Sequence, residues 1–134
     1  MNEPGESSKQ ITIRHLGPLE GTIRVPGAKN AVLKLMAVSL LADGVYELTN
    51  VPAINDVAIM GDLLAALGVR SHSPERGTLV LTNDGQLVPV APYEQVERIR
   101  ASINALGPLL TRCGEVRLSM PGGDDFGALS LIHI

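Results

Sequence analysis

The chain has 134 residues, which is the size of one ordinary domain or of a piece of a larger protein. Hydrophobic residues make up 45% of it and aromatic residues only 2%, so we expect an aliphatic core. The formal net charge is −3 and the basic residues are scattered, which argues against nucleic acid as a partner. The single cysteine, Cys113, excludes an internal disulfide and favours a reducing compartment.

The sequence offers no segment suited to a membrane. Its longest apolar run, residues 31–42, is interrupted by Lys34 and Ser39 and is too short to span a bilayer. The polar start, MNEPGESSK, does not resemble a signal peptide. We therefore expect a cytoplasmic protein without membrane insertion, in which residues 1–10 form a disordered tail.

The first part of the chain predicts strands followed by a buried helix. Residues 10–15 and 20–25 alternate apolar and polar side chains, which predicts a β-hairpin. Residues 29–42 are apolar almost all round, which predicts a helix packed on most sides. Residues 45–50 are the next predicted strand, after the Asp43-Gly44 stop.

A second helix is predicted to begin with Asn55 or Asp56 as its cap and to end at Gly68. Its apolar stripe consists of Val57, Met60, Leu63, Leu64 and Leu67. Two short strands, residues 69–72 and 78–82, are then predicted to pair through a turn at residues 74–77.

The last predicted helix runs from Tyr93 to about Arg112, with a kink or break at Gly107-Pro108. Residues 115–120 are predicted to form a strand. A pattern of paired leucines, a glycine, a predicted strand and a proline begins at Leu40 and again at Leu109, roughly 69 residues later. This predicts more than one copy, and fewer than two, of a βαβαββ unit.

Lys29 is the first candidate site residue. The Pro26-Gly27 turn delivers it to the first turn of a helix, where free N–H groups and the helix dipole favour an anion. Taken alone, this pattern is more often a plain turn followed by a solvated lysine.

Five blocks of sequence together resemble the enolpyruvyl transferases, the EPSP synthase-like family. In chain order the matching blocks are PGAKNAVL, LTNVPAINDV, LLAALG, RASINALGPLL and MPGGDDFGA, from about residue 11 to residue 128. The branch that acts on shikimate 3-phosphate carries a G-S-K-S motif and a G-N-A-G-T loop. This chain has Gly27-Ala28-Lys29-Asn30 and no such loop, and so it is more similar to the branch that acts on UDP-N-acetylglucosamine.

The resemblance implies an inside-out α/β barrel built of βαβαββ repeats, of which about one and a half are present here. It also implies transfer of the enolpyruvyl group of phosphoenolpyruvate to the 3′-hydroxyl of UDP-N-acetylglucosamine, with release of phosphate. This is the first committed step of peptidoglycan synthesis. The expected partners are these two small molecules, and no cofactor or metal is expected.

The resemblance also assigns site residues. Lys29 and Asn30 match the residues that hold phosphoenolpyruvate, and Arg100 matches an arginine on the nucleotide-sugar side of the cleft. Asp124 stands where most members have a cysteine that donates the proton. A carboxyl group can fill this role when burial raises its pKa, although a cationic cleft opposes that shift. Because an aspartate lacks the thiol that fosfomycin alkylates, we expect insensitivity to that antibiotic.

For the cysteine and the histidines, the sequence predicts neither a catalytic site nor a metal site. Cys113 lies eleven positions before Asp124 and is expected to be a small buried residue at a helix end. The three histidines, at positions 15, 72 and 133, have no spacing typical of a metal site.

Family members are roughly three times as long and have two domains with the site between them. By this resemblance residues 11–27 are strands of the second domain, residues 28–128 are part of the first, and residues 129–134 are a non-native tail. The expected Arg-Pro-x-Asp segment is replaced by LSLIHI. We therefore expect the chain to be an inactive N-terminal fragment. The alternatives are a shikimate-type transferase or a non-catalytic module with this fold.

Overall fold

The computed structural model describes residues 11–15 and 17–120, and the regular elements lie between Lys29 and Cys113. Helices and strands alternate in the first part of this region, and helices fill the rest. In chain order they are α1 (Lys29–Val38), β1 (Gly44–Leu48), α2 (Asn55–Ala66), β2 (Val69–His72), β3 (Leu79–Asn83), α3 (Tyr93–Val96), a 3₁₀ helix (Arg100–Ala105) and α4 (Leu106–Cys113).

The three strands form one antiparallel sheet in the order β1-β3-β2. The central strand, β3, places Leu81 opposite Tyr46 on one side and Ser71 on the other. Leu79, Leu81 and Asn83 are buried while the residues between them are half-buried, so one face of β3 lies on the core. This is the alternation expected of a sheet with one covered face.

The core is aliphatic and lies between the sheet and the helices. α1 packs on α2 and on the 3₁₀ helix, and α2 packs on β2. The side chains with no exposed surface in this core include Met36, Leu40, Met60, Leu63, Leu64, Leu67, Val69, Leu81, Val96 and Leu109. Burial of such side chains contributes about 1.5–3 kcal/mol each by area transfer, which makes this layer the main stabilising element.

Much of the predicted order is confirmed. The series of helix, strand, helix and strand pair is present, and β2 has the predicted bounds. In the predicted stripe of α2, Val57 is half-buried and the other four side chains are fully buried. The predicted cap of α2 was wrong, because Ile54 holds the cap position and no side chain caps this helix.

α1 is shorter than predicted and ends at Val38 rather than at residue 42. The buried Ser39 hydroxyl donates to the carbonyl oxygen of Met36 at 2.7 Å. This bond offers that carbonyl an alternative to the helical N–H, which is how serine ends or bends a helix. The outer face of α1 is also less covered than predicted, since Leu35 is 51% exposed.

The predicted long helix at residues 93–112 is divided, and the break is not where we predicted it. The chain leaves the α-helix after Val96 and resumes as a 3₁₀ helix at Arg100. Gly107 and Pro108 instead lie in the first turn of α4. Proline is tolerated there because a first-turn N–H has no intrahelical acceptor.

The strand predicted at residues 115–120 is reduced to one isolated parallel bridge between Arg117 and Val90. The Arg117 N–H donates to the Pro89 carbonyl at 2.7 Å, and the Ala91 N–H donates to the Arg117 carbonyl at 2.9 Å. Pro89 and Pro92 lack the N–H groups that would extend this ladder.

The hairpin predicted over residues 10–25 is not formed within residues 11–15 and 17–25, which contain no strand. Ile11, Ile13, Ile23 and Val25 are each more than three-quarters exposed. An isolated two-stranded hairpin is marginal in water unless another layer covers its apolar face. The absence of such a cover in the described residues explains why the alternation does not produce strands here.

Across residues 11–15 and 17–120, no helix is long and apolar enough to cross a bilayer.

Candidate functional site

Lys29 is the first residue of α1, as the sequence predicted. Ala28 precedes it in an extended conformation at the cap position, and no side chain caps the helix. The first turn contains no acidic residue, so the N–H groups at this end have no side-chain acceptor within α1. The start of α1 is therefore electropositive, and residues 28–31 are exposed to solvent.

The Lys29 ammonium pairs with an acid from the next helix. Its Nζ lies 3.1 Å from Oδ2 of Asp56, in the first turn of α2, and the two side chains are 58% and 31% exposed. A pair this exposed contributes only about 0–1 kcal/mol to stability. Its consequence is mainly geometric, because it orients the ammonium toward the start of α2.

Asn30 and Arg100 line one shallow depression, of about 250 Å³, between α1 and the 3₁₀ helix. Lys34 and Asn104 contribute to the same lining, with Leu33, Ala101 and Ile103 as its apolar part. The two cations and two amides offer donors to an anionic or polar ligand. Arg100 is exposed and is the first residue of the 3₁₀ helix. The break in the long predicted helix therefore sets the position of the Arg100 backbone, from which the side chain extends.

The structure thus brings Asn30 and Arg100 together and places Lys29 beside Asn30 but turned toward Asp56. Asp124 lies outside the described residues, as does Asp125. Within the residues that are described, no three metal-binding side chains lie together. Cys113 is half-buried at the end of α4 and packs against the core.

Tyr93 is a titratable residue near this region whose pKa is shifted. A hydrogen bond with Glu97, together with the charges of Glu97 and Glu94, raises its pKa above the ordinary value of 10.0. A phenol with the ordinary pKa is already protonated at neutral pH, and this shift leaves that state unchanged. Tyr93 does not line the depression, so it supplies no acid there.

Sequence reasoning missed two residues of this region. Asp56 was considered only as a helix cap, although it is the acidic residue of the first turn of α2. Lys34 was noted only as an interruption of an apolar run. It lies four positions after Asn30, and this helical spacing places both side chains on one face.

Comparison with known proteins identifies the family. The sequence model of the family described as EPSP synthase (3-phosphoshikimate 1-carboxyvinyltransferase) matches residues 13–128. The chain belongs to the EPSP synthase family. The resemblance to enolpyruvyl transferases that the five blocks indicated is thereby confirmed.

Two similar curated relatives carry the same name. UDP-N-acetylglucosamine 1-carboxyvinyltransferase of Jannaschia sp. is 44% identical over 127 residues, which are 93% of this chain and 30% of that protein. The enzyme of the same name from Acidiphilium cryptum is 49% identical over 119 residues, covering 88% and 28%. The chain therefore spans less than a third of the length of these relatives.

A solved structure agrees with this placement. The enolpyruvyl transferase NikO from Streptomyces tendae is similar with a TM-score of 0.64 and 26% identity, over 72% of this chain and 22% of that one. The mixed helix and strand architecture seen here is thus that of an enolpyruvyl transferase.

Proposed function

We propose that the whole protein transfers the enolpyruvyl group of phosphoenolpyruvate to the 3′-hydroxyl of UDP-N-acetylglucosamine and releases phosphate. The observation that carries this proposal is the identity of 44–49% with enzymes named for that acceptor, over about nine-tenths of this chain. The proposal includes a cytoplasmic location and a role in peptidoglycan synthesis. It also includes the complete inside-out barrel, of which residues 28–128 form part, with residues 11–27 in the second domain.

The geometry is compatible with this chemistry. Protonation at C3 of phosphoenolpyruvate makes C2 electrophilic, and the sugar hydroxyl adds to C2 and loses its proton. The tetrahedral product then loses a proton from C3 and expels phosphate, which restores the double bond of the enolpyruvyl group. Such a site needs fixed cations for phosphate and carboxylate and an acid near C3. In our proposal Lys29 and Asn30 hold phosphoenolpyruvate, Arg100 binds the nucleotide sugar, and Asp124 donates the proton.

Lys29 reaches the substrate by exchanging partners. Its ammonium is more than half exposed and pairs with a single carboxylate, so a phosphate can replace or share that contact at small cost. Asp56 then serves to keep the lysine oriented while the site is empty.

The test is a chimera in which residues 1–128 of this chain replace the corresponding part of the Acidiphilium cryptum relative. We expect it to release phosphate from phosphoenolpyruvate only in the presence of an acceptor. Lys29→Ala is expected to lower kcat/KM about 10²-fold, since one preorganised charge-stabilising group is lost. The control, Arg70→Ala, removes an exposed ion pair with Asp84 elsewhere and should leave kcat/KM unchanged. Equal kcat/KM values for the two variants would show that Lys29 does not act in the site.

A further inference from the structure

We infer that Gly27 and Asn50 are positioning residues, whose backbones form a clasp that sets the place of the Lys29 ammonium. The clasp is the contact of Gly27 with the Asn50 carbonyl. Its role toward phosphoenolpyruvate rests on the proposed function, whereas its geometric effect on Lys29 does not.

Gly27 lies too close to Asn50 for any side chain. Its N–H donates to the Asn50 carbonyl oxygen at 3.2 Å. A Cβ at Gly27 would lie 2.2 Å from that oxygen and 3.3 Å from the carbonyl carbon. Because these atoms belong to backbone, they cannot move aside as the end of a flexible side chain can. The close approach therefore requires glycine.

Asn50 presents its carbonyl from an unusual conformation. Its φ is +56°, in the left-handed region that non-glycine residues rarely adopt and asparagine tolerates best. The next residue, Val51, donates its N–H to the Gly77 carbonyl at 2.8 Å, in the turn between β2 and β3. The Asn50 carbonyl is thus held by the sheet side of the molecule, and Gly27 docks on it.

The clasp joins the two chain segments that lead into the charges of the ion pair. A single residue, Ala28, separates Gly27 from Lys29, and five residues separate Asn50 from Asp56. Holding these two chain segments together fixes how the starts of α1 and α2 meet, which is where Lys29 and Asp56 are 3.1 Å apart. Opening the clasp would let the α1 end move relative to α2.

The experiment is zero-length carbodiimide coupling of the 134-residue chain, which joins an amine to a carboxylate only when they touch. Mass spectrometry measures the yield of the Lys29–Asp56 crosslink. We expect Gly27→Ala to lower the yield by about two- to fivefold, the range of a lost exposed ion pair. The matched control is Gly107→Ala, since a Cβ at Gly107 meets nothing within 4 Å. It should leave the yield unchanged.

A pair of substitutions at Asn50 tests the clasp without adding volume at Gly27. Asn50→Gly keeps access to the left-handed conformation, whereas Asn50→Ala strains it, and both remove the same side chain. We expect only Asn50→Ala to lower the crosslink yield. If circular dichroism shows that Gly27→Ala is unfolded, the comparison of the two Asn50 variants alone tests the clasp. Equal yields for the two Asn50 variants, or an unchanged yield in folded Gly27→Ala, would overturn the inference.

The chimera connects the clasp to the proposed function. There Gly27→Ala is expected to raise KM for phosphoenolpyruvate about two- to fivefold and to leave KM for UDP-N-acetylglucosamine unchanged. A general loss of structure would alter both constants. If Gly27→Ala lowers the crosslink yield in the 134-residue chain but the folded chimera shows no turnover, the proposed function is refuted and the clasp stands.

Discussion

At the scale of single residues, the structure separates side chains that hold the fold from those that face a ligand. Asn83 is an example of the first kind, because it is 2% exposed and its amide is fully used. Its Nδ2 donates to the Ser39 and Ala42 carbonyls at 2.8 and 3.1 Å, and its Oδ1 accepts from the Gly85 N–H at 2.9 Å. One side chain thus ties the end of α1 to the end of β3. No local sequence pattern predicts the bonds to Ser39 and Ala42, since these residues lie 44 and 41 positions away.

The first prediction concerns this asparagine. Asn83→Ala is expected to lower the free energy of unfolding by about 1–3 kcal/mol, because the buried bond to the Ser39 carbonyl and the part-buried bond to the Ala42 carbonyl are both lost. Urea denaturation followed by circular dichroism measures the change. The control is Asn55→Ala, whose exposed side chain makes no capping bond and whose loss should stay within about 0.5 kcal/mol. Similar losses in the two variants would contradict the role of Asn83.

The second prediction concerns Asp124, whose assignment as the acid comes from the family resemblance. The chimera carrying Asp124 should retain its rate in fosfomycin, since no thiol is present for alkylation at that position. Asp124→Cys should become sensitive, with activity lost progressively during incubation. Inhibition of the Asp124 chimera that is abolished by Asp124→Ser would contradict this assignment.

At the scale of elements, periodicity predicted the layers well and the interruptions poorly. The stripe of α2 and the β2–β3 pair follow from local spacing, and both are confirmed. The break between Val96 and Arg100 coincides instead with the hydrogen bonds of one buried side chain. There the buried Ser102 hydroxyl lies 3.0 Å from the Val96 carbonyl and 2.8 Å from the Ile99 carbonyl. Glycine and proline at positions 107 and 108 gave a stronger sequence signal for a break than this serine did.

The third prediction tests that break. Ser102→Ala should destabilise the chain by about 1 kcal/mol, because two buried carbonyls lose their shared donor. The matched control is Thr111→Ala on α4, where an exposed hydroxyl bonds the Gly107 carbonyl at 2.9 Å. Alanine's higher helix propensity should make that change neutral or slightly stabilising. A Ser102→Ala variant as stable as Thr111→Ala would show that the hydroxyl does not hold the break.

At the scale of the whole molecule, the proposed site combines described residues with Asp124, which lies outside them. Lys29, Asn30 and Arg100 occupy the helix starts and the depression. The sequence identified these three because the family motifs carry them, but it could not predict the Lys29–Asp56 pair, which depends on how two helices meet. It also could not predict that residues 11–15 and 17–25 lack strands, since strand formation needs a covering layer as well as alternation.

The central claim is the acceptor, and one measurement tests it most directly. Phosphate release by the chimera of residues 1–128 is measured with phosphoenolpyruvate and either UDP-N-acetylglucosamine or shikimate 3-phosphate. The 134-residue chain, which spans 30% or less of its relatives, is assayed beside it and should release none. We predict turnover with UDP-N-acetylglucosamine only. A folded chimera that uses shikimate 3-phosphate, or neither acceptor, would contradict the proposed function.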